Sequence, residues 1–148
     1  MGVVRDEPYG QYNFLVDIGD GVEGPDAGFS EVSGLDVEIG VIEYRSGNSR
    51  VNTPTKLNGL VKYGDVTLKR GIIGSLRLWE WIKASINSDP TARRTVRIQL
   101  LDEQHQPVMA WRLARARPVR HVSGPLIGGG SDVAVEELVI AHEGLDIE

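Results

Sequence analysis

The chain has no cysteine, which excludes disulfides, thiolate metal sites and thiol nucleophiles together and fits a reducing cytoplasm. Aromatic residues are few, at 6%. The three histidines, His105, His121 and His142, lie far apart in sequence, whereas a zinc site needs ligands that cluster. Long hydrophobic runs are missing too. Nothing approaches the ~18 apolar residues of a membrane span, and the opening MGVVRDEPYGQYN lacks the apolar segment of a signal peptide. The expectation is a chain made in the cytoplasm with no membrane anchor. Positive charge is in deficit, with a net charge of -5, which argues against wrapping nucleic acid or coating an anionic membrane. What remains, 148 residues of ordinary composition, suits one domain over 1–148 that buries about two thirds of its unfolded surface.

Strand patterns dominate. YNFLVDI is aromatic and β-branched and stops at GDGVEGPDAG. In LDVEIGV, Leu35, Val37, Ile39 and Val41 alternate with Asp36, Glu38 and Gly40, and Ile42 and Tyr44 continue one residue out of phase. A slip of that kind beside a glycine predicts a β-bulge. The polar RSGNSRVNTPTK that follows has no apolar period and reads as a long excursion, from Tyr44 to Leu57. KYGDVTLKRG places Val66 and Leu68 on one face of a strand and Asp65, Thr67 and Lys69 on the other; its charges read as solvation. TVRIQLL and VMAWRLARA are further strands, the latter with Met109, Trp111 and Leu113 on one face. VAVEELVIAHEG changes phase across Glu136-Glu137, which predicts a second bulge. Only SLRLWEWIKASI has a helical period, with Ser75 as its N-cap. Leu76, Trp79, Ile82 and Ile86 form its stripe and Leu78 and Trp81 widen it. Trp79 and Trp81 stand about 200° apart on the wheel, so one sheet does not cover both, and at least one is expected at a subunit boundary. About six strands and one helix predict a mainly β fold, an antiparallel β-barrel or sandwich with one flanking α-helix.

Chemical motifs are weak. Gly19 to Gly24 matches GxGxxG, but no helix follows it, as a dinucleotide site requires. Asp17, Asp20, Glu23 and Asp26 lack the spacing of an EF-hand loop and read as an acidic turn. No serine sits in a GxSxG elbow. His142 continues the face of Leu138 and Ile140 and reads as a hydrogen-bonded core or interface residue. Arg112, Arg115, Arg117 and Arg120 make one basic patch, suited to phosphate or to an acidic patch on another copy of the chain. No catalytic residue, cofactor or metal site is expected.

The ordered blocks FSEVSGLDVEIGVIEYRSGN, KLNGLVKYGDVTLKRGI, LWEWI and SDVAVEELVIAHEGL resemble the inner tail tube proteins of contractile phage tails and related contractile injection systems. The resemblance spans nearly the whole chain. It implies a barrel or sandwich with a flanking helix, similar to the haemolysin-coregulated protein of type VI secretion. It also implies six copies in a ring and rings stacked into a tube that conducts DNA or protein cargo. Its partners would be other copies of itself, a contractile sheath, and baseplate, spike and cap proteins. The Tyr44–Leu57 excursion would correspond to an arm between subunits and rings, placing Tyr44, Arg45, Ser46, Gly47, Asn48, Arg50 and Lys56 in contacts, with Trp79 and Trp81 as the helix interface. RARPVRH is more basic, and LIGGGSD richer in glycine, than the resemblance leads one to expect. The competing readings are a monomeric small-ligand-binding β-barrel and a hydrolase with scattered residues.

Overall fold

A computed structural model describes residues 2–20 and 28–148. Along the chain it contains β1 (Phe14–Asp17), β2 (Glu31–Ser33), β3 (Val37–Tyr44), β4 (Thr55–Tyr63) and β5 (Val66–Gly71). Helix α1 (Arg77–Ile86) and a 3₁₀ turn (Pro90–Ala92) come next, then β6 (Arg94–Leu101), β7 (Pro107–Ser123), β8 (Val135–Ala141) and β9 (Gly144–Ile147). Glu23, Asp26 and Gly24 of the acidic, glycine-rich turn lie outside the described residues.

Alternating side chains build the core. Seven strands join antiparallel in the order β1-β6-β7-β8-β5-β2, with β9 on β7. The sheet folds over, so Val96, Ile98 and Leu113 from one half share a core with Val66, Leu68, Leu138 and Ile140 from the other. Strand β7 makes this possible. Its first part pairs with β6 and β9, and after a register slip between Pro118 and Arg120 its last part pairs with β8. Leu113 and Ala116 of the core flank a second slip, where β7 carries one more residue than β6, whereas Val108 and Ala110 are buried on the opposite face of β7. Leu113 is fully buried and Trp111 packs against the core, as the inward face predicted by the alternation requires, while Met109, opposite Leu100, is half-buried. Edges β1 and β2 do not pair with each other, so the barrel stays open along that side.

Helix α1 lies on β7 and buries Leu78, Trp81 and Ile82, while Leu76, Trp79 and Ile86 stay exposed. The buried stripe therefore joins Ile82 of the expected stripe to Leu78 and Trp81, which were expected only to widen the apolar face. Ser75 is not the N-cap either: Leu76 occupies that position without a side-chain cap. Indole Nε1 of Trp81 donates to the Ala92 carbonyl at 2.6 Å, and Ser85 Oγ donates to the Pro118 carbonyl at 3.1 Å. These two bonds fix the helix against the sheet and the 3₁₀ turn.

Two further expectations are corrected. Strand β8 runs without a bulge: it pairs in unbroken register with β5 from Val135 to Ile140, and Glu136 keeps the inward phase of Leu138 and Ile140. The apparent slip arises because this inward position is a carboxylate. Its partner is Arg70, which is buried and not on a solvated face: Nε donates to Glu136 Oε1 at 2.6 Å.

The β3–β4 hairpin stands apart as its own two-stranded sheet. A register shift between Ile39↔Val61 and Val41↔Asn58 puts a bulge in the hairpin, but its extra residue is on β4, at Gly59-Leu60 opposite Gly40, and not in β3 as the phase change predicts. Backbone contacts pin its base. Gly34, at φ +89, lies so close to Asp65 that a Cβ would meet its carbonyl oxygen at 2.1 Å, so only glycine fits there. Gly64 N donates to Asp36 Oδ1 at 3.0 Å, and His142 Nε2 lies 3.0 Å from the Gly64 carbonyl. The glycine in KYGDV thus marks where the hairpin joins the barrel.

Candidate assembly surfaces

Every residue of β3 is exposed. Val37, Ile39, Val41, Ile42 and Tyr44, with Leu57, Leu60 and Val61 of β4, are each at least 48% exposed. A two-stranded ribbon with apolar side chains on both faces has no interior of its own, and an apolar surface of this extent marks a contact site.

Of the expected arm residues, Tyr44 ends β3 and Lys56 lies in β4, opposite Glu43. The excursion is therefore shorter than Tyr44–Leu57: strand pairing holds from Tyr44↔Thr55 inward, and the loop is residues 45–54. Strand β4 has no buried face to give it an alternating pattern, so its first residues read as loop. Ser46, Gly47, Asn48 and Arg50 are at the tip and exposed. The tip is tied to itself. Arg45 Nε donates to the Val51 carbonyl at 3.0 Å and Nη2 to the Ser49 carbonyl at 3.2 Å. Ser46 Oγ bonds the Asn48 side chain, and Ser49 N donates to the Ser46 carbonyl. A preformed tip loses little entropy on docking.

The two helix tryptophans separate. Trp81 is 1% exposed and belongs to the core; Trp79 is 47% exposed, its ring edge-on to His121 at 5.9 Å. His121 Nε2 in turn lies 3.2 Å from Glu136 Oε2. Exposed Trp79 thus rests on a network that reaches the buried Arg70–Glu136 pair, a connection with no trace in the sequence because its members come from four elements. A further apolar region lies at the open side of the barrel, where Phe14, Phe29, Leu35 and Trp111 line a groove between β1 and β2. At the far end of the sheet, Arg5 holds the Glu103 carboxyl at 2.8 Å and lowers its pKa to about 2, the side-chain hydrogen bond being the main cause.

Residues 10–146 match the family model of the T4-like virus tail tube protein gp19. The chain belongs to that family. Its members are structural tube proteins. Among solved structures, the tube chain is similar to a protein in the sheath-tube complex of an extracellular contractile injection system, PVC, in its extended state. That match has 27% identity and a TM-score of 0.82 and covers 95% of this chain and 91% of that one. A protein in the six-fold symmetrised baseplate of the anti-feeding prophage is 27% identical with a TM-score of 0.82, covering 97% of each chain. Hcp1 from Flavobacterium johnsoniae shares the fold at 12% identity and a TM-score of 0.56, covering 92% and 94%. No curated protein sequence matches the chain.

Proposed function

We propose that this chain is the repeating subunit of the inner tube of a contractile injection system or phage tail. Six copies close into a ring, and rings stack around a lumen that conducts DNA or protein cargo. A contractile sheath surrounds the tube, and baseplate, spike and cap proteins bound it. The chain is one domain, and its arm, the β3–β4 hairpin with the loop at 45–54, reaches neighbouring subunits. Its role is structural, without catalysis.

The observation that carries this reading is the hairpin. A ribbon exposing eight large apolar residues on two strands is stable only when covered. The open edges β1 and β2 add a second unsatisfied surface: unpaired strands recruit strands, and a ring removes the edges by closing. The neighbours fit. One is part of a sheath-tube complex and another of a baseplate with six-fold symmetry. The small-ligand carrier gains no support, because Leu68, Trp81, Leu113 and Leu138 fill the interior.

Negative-stain microscopy with light scattering on the purified full chain tests the proposal. Rings of six and tubes built from them are expected. A monomer at every concentration, with no rings on addition of baseplate components, refutes it.

A further inference from the structure

The β6–β7 hairpin carries opposite charge at its two ends. At one end Arg93 and Arg94 enter β6 and Arg115 and Arg117 lie across from them on β7, lining an open cleft of about 470 Å³ beside the 3₁₀ turn. The carboxylates at this end are already engaged. Asp89 Oδ1 accepts from Thr91 N at 2.9 Å, and Glu143 pairs with Arg115. Arg94 lies 5.2 Å over the Trp81 ring. Arg93 and Arg117 are exposed and form no ion pair among the described residues. Asp89, Glu143 and the roughly half negative charge at the C-terminus of α1 still leave the four arginines in excess at this end.

The other end is acidic. Asp102 and Glu103 form the β6–β7 turn, closed by Asp102 Oδ1 accepting from Gln104 N and Gln106 N at 2.9 Å each. The N-terminal segment is bound beside it, Val3 N donating to the Val108 carbonyl at 2.8 Å, which adds Asp6 and Glu7. Arg5 is the one arginine set against these four carboxylates. From Arg94 to Leu101 the ladder spans about 24 Å at ~3.4 Å per residue. That exceeds the ~8 Å screening length at physiological ionic strength several-fold, so the ends do not neutralise each other.

We infer that the arginine cleft of one copy receives the acidic β6–β7 turn of the next, and that this contact joins ring to ring. Complementary ends on one chain make a heterologous contact, which propagates with a fixed direction. The open edges β1 and β2 add neighbours sideways, across the strands; the ladder ends face along the strands, the direction left for stacking. A nucleic-acid partner fits less well, because bases call for aromatic platforms among the cations and the one ring at this cleft, Trp81, is buried. The inference rests on the tube reading above and adds which surfaces stack and with what polarity.

The test uses charge reversal in the purified full chain. Arg93→Glu with Arg117→Glu should leave rings intact and abolish tubes, and Asp6→Lys with Glu7→Lys should do the same from the opposite end. All four substitutions in one chain should restore tubes, which a merely misfolded variant cannot do. Wild-type tubes should also fall apart into rings as salt rises. Tubes of normal length from either reversed pair overturn the inference and leave the tube reading standing. A wild type without rings even when baseplate components are supplied overturns both. If the Arg93 and Arg117 substitutions instead abolish binding of a labelled single-stranded DNA while tubes persist, the cleft is a nucleic-acid site and the inference fails.

Discussion

Replacing Glu136 by alanine isolates the energetics of the one buried ion pair described. The side chains of Arg70 and Glu136 are 2% and 9% exposed, and their atoms meet at 2.6 Å. Removing the carboxylate breaks this pair in the barrel wall, a loss of about 3–5 kcal/mol. His121, at 3.2 Å, also loses an acceptor, worth roughly 1 kcal/mol. For a urea slope of about 2 kcal/mol/M, the unfolding midpoint should fall by ~2–3 M with the slope unchanged. The decisive comparison is Arg70→Met with Glu136→Leu. Replacing both partners by apolar groups removes both buried charges, and buried pairs so replaced typically end near neutral or better. The double variant should therefore be more stable than Glu136→Ala alone. Equilibrium urea unfolding followed by circular dichroism, at concentrations where the chain is monomeric, reads both. A double variant as unstable as the single, or a single variant shifted by less than ~0.5 M, refutes the argument that burial makes the broken pair costly.

Trp81→Ala should destabilise the monomer by about 3–5 kcal/mol, because a core ring and its bond to Ala92 are lost together. Trp79→Ala should change melting little and reduce ring formation; equal losses of monomer stability from the two would contradict the placement of Trp79 at a contact. Replacing residues 46–53 by a short Gly-Ser turn should keep near-native circular dichroism, since loop length alters closure entropy only slightly, yet stop tube elongation, with microscopy as the readout. The Arg5–Glu103 tie should respond to acid. The folded carboxyl sits at about 2, below its unfolded value, so its contribution is present above the unfolded value and disappears as pH falls through about 2. Carboxyl chemical shifts of Glu103 should show that displacement, and Arg5→Gln should return Glu103 to the ordinary range.

The strands with one buried face were legible in the sequence. Val66 and Leu68, Val96 and Ile98, and Leu138 and Ile140 alternate because water lies on one side and the core on the other. Strand β4 was not, because no such asymmetry acts on it; only the resemblance to tube proteins marked its residues as part of a contact arm. The phase change at Gly40 marked a bulge whose extra residue lies across the ladder on β4, whereas the same signal at Glu136 misled. A buried carboxylate and a bulge both interrupt a run of apolar residues, and they differ only in what lies across the sheet, here Arg70, 66 residues away in the chain. The helix was found by its period, but its buried stripe depended on where β7 lies. Leu78 and Trp81 are buried and Leu76 and Trp79 are exposed, and an apolar arc that wide contains both answers. The resemblance identified the family; it did not separate the two tryptophans or reveal the charge polarity of the β6–β7 hairpin.

The exposed hairpin also bears on when the chain finishes folding. Before a neighbour covers them, strands β3 and β4 are held by hydrogen bonds open to water and by the few contacts at Gly34, Gly64 and His142. An uncovered two-stranded ribbon is marginal in water, so part of its ordering is completed at the moment of docking. That ordering costs roughly 2–5 kcal/mol per copy, and it lowers apparent affinity by the fraction of chains already in the docked form. A surface that presents the right edge removes the cost for the first arrivals, and each completed layer does so for the next. Growth is then slow to begin and fast to continue, and the free chain can accumulate without polymerising where no template exists. Amide exchange in residues 37–63 should be rapid in the free chain and strongly slowed in the tube, while the β5, β6 and β8 amides are protected in both.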